Sequence, residues 1–235
     1  MVNDCGLAAA IIDLDGTLVD TLGDFDVALN RTLTDLALPA LDRAFIERTI
    51  GKGSEHLIRA SLAAVGGAAT LYDEAWAHYQ RHYRSVNGEF STVYGGVFEG
   101  LERLRSAGLA LACVTNKPRA FALDLLERKG LKANFAQVQG GDSFERRKPD
   151  PLPLLRTAAL LGCTPQRTLM VGDSANDAAA ARAAGCALVL VSYGYNHGES
   201  VAGLGADAVV DRLDCIDLAA LDARLRSALL NCAAP

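Results

Sequence analysis

Paired cysteines, basic clusters and long apolar runs are what this 235-residue sequence does not have. Its six cysteines, Cys5, Cys113, Cys163, Cys186, Cys215 and Cys232, are scattered with no CxxC pair and no histidine at zinc-site spacing. That pattern argues against a cysteine-based metal site. Cys113 and Cys186 lie inside apolar runs and read as small reduced core residues. No Lys/Arg run is longer than Arg146, Arg147, Lys148, and the net charge of -5 further disfavours nucleic acid as a partner. No apolar stretch approaches the roughly 20 residues of a membrane helix. The first ten residues carry Asp4 where a signal peptide would carry positive charge. A cytoplasmic protein with no membrane partner is expected.

Aromatics are few at 6%, yet half of the chain is hydrophobic and 22% is charged, the balance of an ordinary globular protein. At this length it can bury a sizeable core and carry a smaller module beside it. Apolar runs at Leu7 to Ile12, Leu109 to Val114, Thr168 to Val171, Ala187 to Val191 and Ala208 to Val210 read as buried strands. Helical patterns separate most of them: Val97 to Ala107, Phe121 to Lys129, Leu152 to Leu161 and Ala175 to Ala184. Several close on Gly108, Gly130, Gly162 or Gly185. This alternation predicts an α/β fold, a doubly wound parallel sheet with a Rossmann-like core.

From Thr21 to Phe90 the rhythm changes to consecutive helices, at Phe25 to Leu36, Arg43 to Ile50, Ser54 to Val65 and Tyr72 to Arg84. The expectation is a helical insert over 21–90 in a core made of 1–20 and 91–235. Trp76, Tyr79 and Tyr83 read as packing or surface residues. His78 and His82 share a helix face at i, i+4, a spacing that binds metal when a third ligand is near; with none evident nearby, a solvated face is the reading.

Ligands of doubly wound sheets bind beyond the carboxyl ends of the strands. Here those ends carry Asp13 and Asp15, then Thr115, Asn116 and Lys117, then Gly172, Asp173 and Asp177, with Lys148 and Pro149 ahead of the later strand. Two acids at the mouth of a core strand need compensation, because a buried unpaired carboxylate costs several kcal/mol. Taken singly, Asp13 and Asp15 could form a turn, Thr115 with Asn116 or Asp173 could cap a helix, and Lys148 could be one more surface charge. Their joint occurrence in this order overturns those readings.

The set resembles the phosphatase branch of the haloacid dehalogenase superfamily. Asp13-Leu14-Asp15-Gly16-Thr17-Leu18-Val19-Asp20 and Gly172-Asp173-Ser174-Ala175-Asn176-Asp177 match its first and last motifs, and Thr115-Asn116 and Lys148-Pro149 its middle two. The resemblance spans nearly the whole chain. It implies that Asp13 is the nucleophile and Asp15 the acid and base, and that Thr115, Asn116 and Lys148 bind the phosphate. It further implies that Asp13, Asp15 (through its backbone carbonyl) and Asp173 hold Mg²⁺, that Asp177 orients Lys148 or a metal water, and that the helical insert is a mobile cap. The softer motifs Gly51-Lys52-Gly53-Ser54-Glu55-His56 and Tyr193-Gly194-Tyr195-Asn196-His197-Gly198 are most similar to those of bacterial phosphoglycolate phosphatases. The implied substrate is then a small phosphorylated metabolite, 2-phosphoglycolate, met by a monomer or homodimer.

The chemistry fits on physical grounds. A carboxylate approaching a phosphate dianion meets a repulsion of roughly 4 kcal/mol per charge pair at 4 Å and an effective dielectric of 20. A divalent cation and a lysine are suited to offset it, and Asp173 and Lys148 can supply both. Lys52, between two glycines and with His56 or Arg59 near it, is the candidate for reading the substrate carboxylate, against the reading of a solvated loop lysine. The loop is not a Walker motif, since Ile46 stands where the upstream glycine belongs and Gly53 follows the lysine. The same superfamily core also serves sugar phosphomutases and phosphonate-cleaving enzymes, the latter through a cap lysine, for which Lys52 would be the residue. A non-catalytic binding module is disfavoured by the retained acids, and a dehalogenase by Asp15.

Overall fold

The structure, a computed structural model, describes residues 6–224, so Cys5 and Cys232 lie outside the described residues. Six strands form one parallel sheet: β1 (Ala9–Ile12), β4 (Ala110–Val114), β5 (Gln137–Gln139), β6 (Thr168–Gly172), β7 (Ala187–Val191) and β8 (Ala208–Val210). A separate two-stranded antiparallel ribbon pairs β2 (Val19–Asp20) with β3 (Thr92–Val93). The sheet order is β5-β4-β1-β6-β7-β8. From β1 the chain builds outward through β4 and β5, then returns to lay β6 against the other edge of β1. The order therefore reverses between β1 and β6, where a doubly wound sheet opens its binding crevice.

Alternation along each strand sends side chains to opposite faces. Ala10 and Ile12 of β1 pack with Leu111, Cys113, Leu169 and Val171 under α5 (Val97–Ser106) and α6 (Arg119–Arg128). Ile11 packs on the other face with Ala112, Val114 and Met170 under α7 (Leu152–Leu160) and α8 (Ala175–Ala184). Each fully buried Ile or Leu of this kind is worth about 1.5–3 kcal/mol. The small face of α8, Ala178, Ala180, Ala181 and Ala184, lets that helix lie close to the sheet.

Four helices lie between the strands of the ribbon: α1 (Leu22–Asp35), α2 (Arg43–Thr49), α3 (Ser54–Ala64) and α4 (Tyr72–Val86). They bury their own cluster, built on Phe25, Leu29, Ile46, Ile58, Tyr79 and Tyr83, into which Phe121 and Tyr195 from the sheet side also pack. Tyr79 and Tyr83 are thus core residues. Cys113 is buried, whereas Cys186 is only half-buried and less of a core residue than its apolar run suggests. Among the described residues no helix is long and apolar enough to cross a membrane.

Candidate active site

The first strand ends in a turn that places two acids side by side. Asp13 continues the sheet pattern, its N–H donating to Val171 O at 2.9 Å, and the chain then folds back with Leu18 N and Val19 N both donating to Leu14 O. Gly16 turns the chain at a φ of +84°, and a Cβ there would collide with the Asp173 side chain. A Cβ at Gly194 would strike the same side chain and Gly16 O. The two glycines leave Asp173 room between the β1 and β7 loops.

Asp173 follows β6. Its Oδ1 accepts from Thr17 Oγ1 at 2.6 Å and its Oδ2 from Tyr195 N at 2.6 Å. Four residues on, Asp177 does two jobs. Its Oδ2 closes a capping box on α8, accepting from Ser174 Oγ at 2.7 Å and Ser174 N at 3.1 Å, while Oδ1 accepts from Lys148 Nζ at 2.7 Å. The Lys148 ammonium also donates to Val114 O at 2.8 Å and stands 2.9 Å from Asp13 Oδ1. That ion pair is what meets the buried Asp13 Oδ1.

The electrostatics follow from this crowding. Burial raises Asp13 to about 7, against the pull of Lys148 and with help from the charges of Asp177 and Asp15. Burial, then the charges of Asp177 and Asp13, push Asp173 well above the carboxylate range. Burial alone would lower Lys148, but Asp13 and Asp177 outweigh it and hold the ammonium charged. Oxygen atoms of Asp13, Asp173 and Asp177 lie within 4.8 Å of one another. Acids this close fit a hard divalent cation with oxygen ligands.

The structure brings together Asp13, Asp15, Thr115, Asn116, Lys148, Asp173 and Asp177 at the carboxyl end of the sheet, around the crevice between β1 and β6. Asn116 is held by its side chain, Nδ2 donating to Lys148 O at 2.9 Å and to Gly51 O at 3.0 Å. Lys52 is not among them: it is exposed, while its neighbours Gly51 and Gly53 line the cavity over the acids. Arg59 pairs with Glu55 at 3.1 Å and lies over the Tyr72 ring, and burial lowers His56.

The cation in that cavity is Lys117, which follows Thr115 and Asn116 in sequence but has no part in the four motifs. Its Nζ stands 2.8 Å from Asp15 Oδ1, donates to Tyr83 Oη, and lies 4.5 Å from the Phe25 ring centroid and 4.7 Å from that of Tyr83. Only its position beside two polar residues at a strand end could have flagged it; its partners Phe25 and Tyr83 are reachable only through the fold. The cavity is lined by Asp13, Asp15, Thr115 and Lys117 below and by Phe25, Ile50, Ser54, Leu57 and Tyr83 above, and its volume is about 30 Å³. That is a small space, with room for about two waters.

Comparison with known proteins agrees with this geometry. A family model described as haloacid dehalogenase-like hydrolase matches residues 10–191. The chain is 45% identical to a plasmid-encoded phosphoglycolate phosphatase of Cupriavidus necator, over 94% of this chain and 96% of the relative. It is 40% identical to the phosphoglycolate phosphatase of Thiobacillus denitrificans, over 88% and 92%. Among solved structures, a predicted phosphoglycolate phosphatase from Haemophilus somnus superposes with a TM-score of 0.84 at 31% identity, over 88% of this chain and 95% of that one.

Proposed function

The chain belongs to the haloacid dehalogenase-like hydrolase family, and from that premise and the geometry of the site we propose that it is a phosphomonoester hydrolase converting 2-phosphoglycolate to glycolate and phosphate. The observation that carries the chemistry is the Lys148 ammonium held by Asp177 and Val114 O at 2.9 Å from the buried Asp13 carboxylate. The substrate follows from the relatives' activity, and a buried cation in the cavity agrees with a substrate bearing a carboxylate.

In this reading the Asp13 carboxylate attacks phosphorus while the bond from phosphorus to the ester oxygen breaks, leaving an aspartyl-phosphate. Asp15 gives its proton to the departing alkoxide and later takes one from the water that attacks the phosphoenzyme, which frees phosphate and restores Asp13. Thr115 and Asn116 bind phosphate oxygens, and Lys148 neutralises charge between nucleophile and phosphate. Mg²⁺, held by Asp13, the Asp15 carbonyl and Asp173, would supply the remaining positive charge. Asp177 keeps Lys148 in place. Residues 21–90 act as a cap over the core of 1–20 and 91–235, of which 1–5 and 225–235 lie outside the described residues, and the cap moves to admit substrate to the small cavity beneath it. Lys117 reads the substrate carboxylate in place of the exposed Lys52.

The test is kcat/KM for 2-phosphoglycolate and for esters of similar size without a carboxylate, with and without Mg²⁺. Phosphate release from 2-phosphoglycolate should lead the series and need the cation; a flat series would remove the substrate, and no release at all would remove the hydrolase. Lys117→Met, which also unpairs Asp15, should slow every ester and cost 2-phosphoglycolate about 10- to 100-fold more than the others. Lys52→Ala should change neither, and a loss confined to 2-phosphoglycolate in that variant would return the role to Lys52.

A further inference from the structure

The i, i+4 histidines of α4 have a third partner that the sequence hides. Asp35, the last residue of α1, brings its Oδ2 to 2.7 Å from His78 Nδ1 and to 2.7 Å from His82 Nε2. The three ligand atoms lie within 4.8 Å of one another, on half-exposed side chains of two helices far apart in sequence. A fourth group intrudes. Arg81 Nη2 stands 2.7 Å from the same Oδ2 and 2.6 Å from His78 Nδ1.

These contacts cannot all be favourable. A guanidinium only donates, so His78 Nδ1 must accept from Arg81, which turns its lone pair toward the carboxylate. If Nδ1 instead carries a proton for Asp35, that proton faces the Arg81 N–H. Either tautomer, and the imidazolium too, leaves one contact repulsive. A divalent cation in place of the guanidinium would be met by two imidazole lone pairs and one carboxylate oxygen. Arg81 is 63% exposed and can swing into water at little cost.

We propose that Asp35, His78 and His82 form a second metal site, on the helical insert, selective for Zn²⁺ and related imidazole-binding ions over Mg²⁺. Two nitrogens and one oxygen suit that class, whereas the all-oxygen acids around Asp13 suit a harder ion. Tetrahedral ligands about 2.0–2.2 Å from zinc stand roughly 3.3–3.6 Å apart, so the Asp35 oxygen need draw back from each imidazole nitrogen by less than about 1 Å. The bound ion would tie the end of α1 to α4, the two helices that supply Phe25 and Tyr83 to the cavity.

The experiment is calorimetric titration of Zn²⁺ into the metal-stripped full chain in excess Mg²⁺, with Co²⁺ absorption to report nitrogen and oxygen rather than sulfur ligands. One ion per chain is expected, weakened about tenfold or more by His82→Ala or Asp35→Asn. Arg81→Ala, which removes the competing cation, should tighten binding. Affinity unchanged in His82→Ala and Asp35→Asn, affinity not increased in Arg81→Ala, or a sulfur-ligated Co²⁺ spectrum would each overturn the site.

Discussion

Asp13 is built for reactivity at the expense of stability, and the conflict is measurable. Its folded value of about 7 exceeds the ordinary 3.8, so the native state binds the proton more tightly than the unfolded chain does. The sign follows: its contribution to stability is present at low pH and is lost as pH rises from about 4 to about 7. Asparagine has no charge to desolvate. In chelator, Asp13→Asn should therefore unfold at higher temperature than the wild type at pH 8, with a smaller gain at pH 5, while turnover is abolished. The displacement of Asp13 from 3.8 to about 7 caps the gain at roughly 4 kcal/mol. Thermal unfolding of both proteins at the two pH values checks it; an equal gain at both would mean that packing, not charge, separates them.

At the scale of elements, what was legible followed apolar periodicity. Ala187–Val191 and Ala175–Ala184 coincide with their apolar run and alanine-rich pattern, because both carry their burial in their own residues. The strand Gln137–Gln139 was not legible: three residues, two of them glutamine, hold an edge position by backbone pairing with β4. The two-residue strands of the ribbon are likewise too short for any period. The start of α1 shows why caps can be hidden. Thr21 makes no side-chain cap, and the Tyr195 hydroxyl from the β7 loop instead accepts from Thr21 N at 2.9 Å and Leu22 N at 3.1 Å while bonding Asp20. Tyr195→Phe leaves a buried N–H unpaired and should cost about 1–3 kcal/mol in urea unfolding. Because Asp173 is met by the Tyr195 main chain, Mg²⁺ dependence should persist; a stability loss below that range would show that water replaces the hydroxyl.

The whole molecule joins sequence-distant groups that neither periodicity nor motif spacing relates. The acids and Lys148 could be anticipated because a parallel sheet gathers its carboxyl ends on one rim. Lys117 with Tyr83, or Asp35 with His78, could not, since those pairs depend on how the insert docks and folds. The docking is held by polar contacts near both ends of the insert, such as Asn87 Nδ2 donating to Phe121 O and the Tyr195 hydroxyl accepting from Thr21 N, and by a further set at its middle. Gly51 O, in the loop between α2 and α3, accepts from Asn116 Nδ2 at 3.0 Å and from Asn176 Nδ2 at 3.3 Å, and His197 Nδ1 meets Arg48 O at 2.9 Å. These tie the insert to the loop after β4, the first turn of α8 and the loop after β7. Asn116 also holds Lys148 O, so removing it would disturb the site, but Asn176 touches only the loop by its side chain. A net hydrogen bond of about 0.5–1.5 kcal/mol translates into roughly 2- to 10-fold in the closed-to-open ratio. Asn176→Ala should therefore raise KM for 2-phosphoglycolate by that factor and leave kcat nearly unchanged, because the groups around phosphorus stay in place once the insert has closed. Steady-state kinetics decide the matter: a fall in kcat at constant KM would place Asn176 in the chemistry rather than in closure.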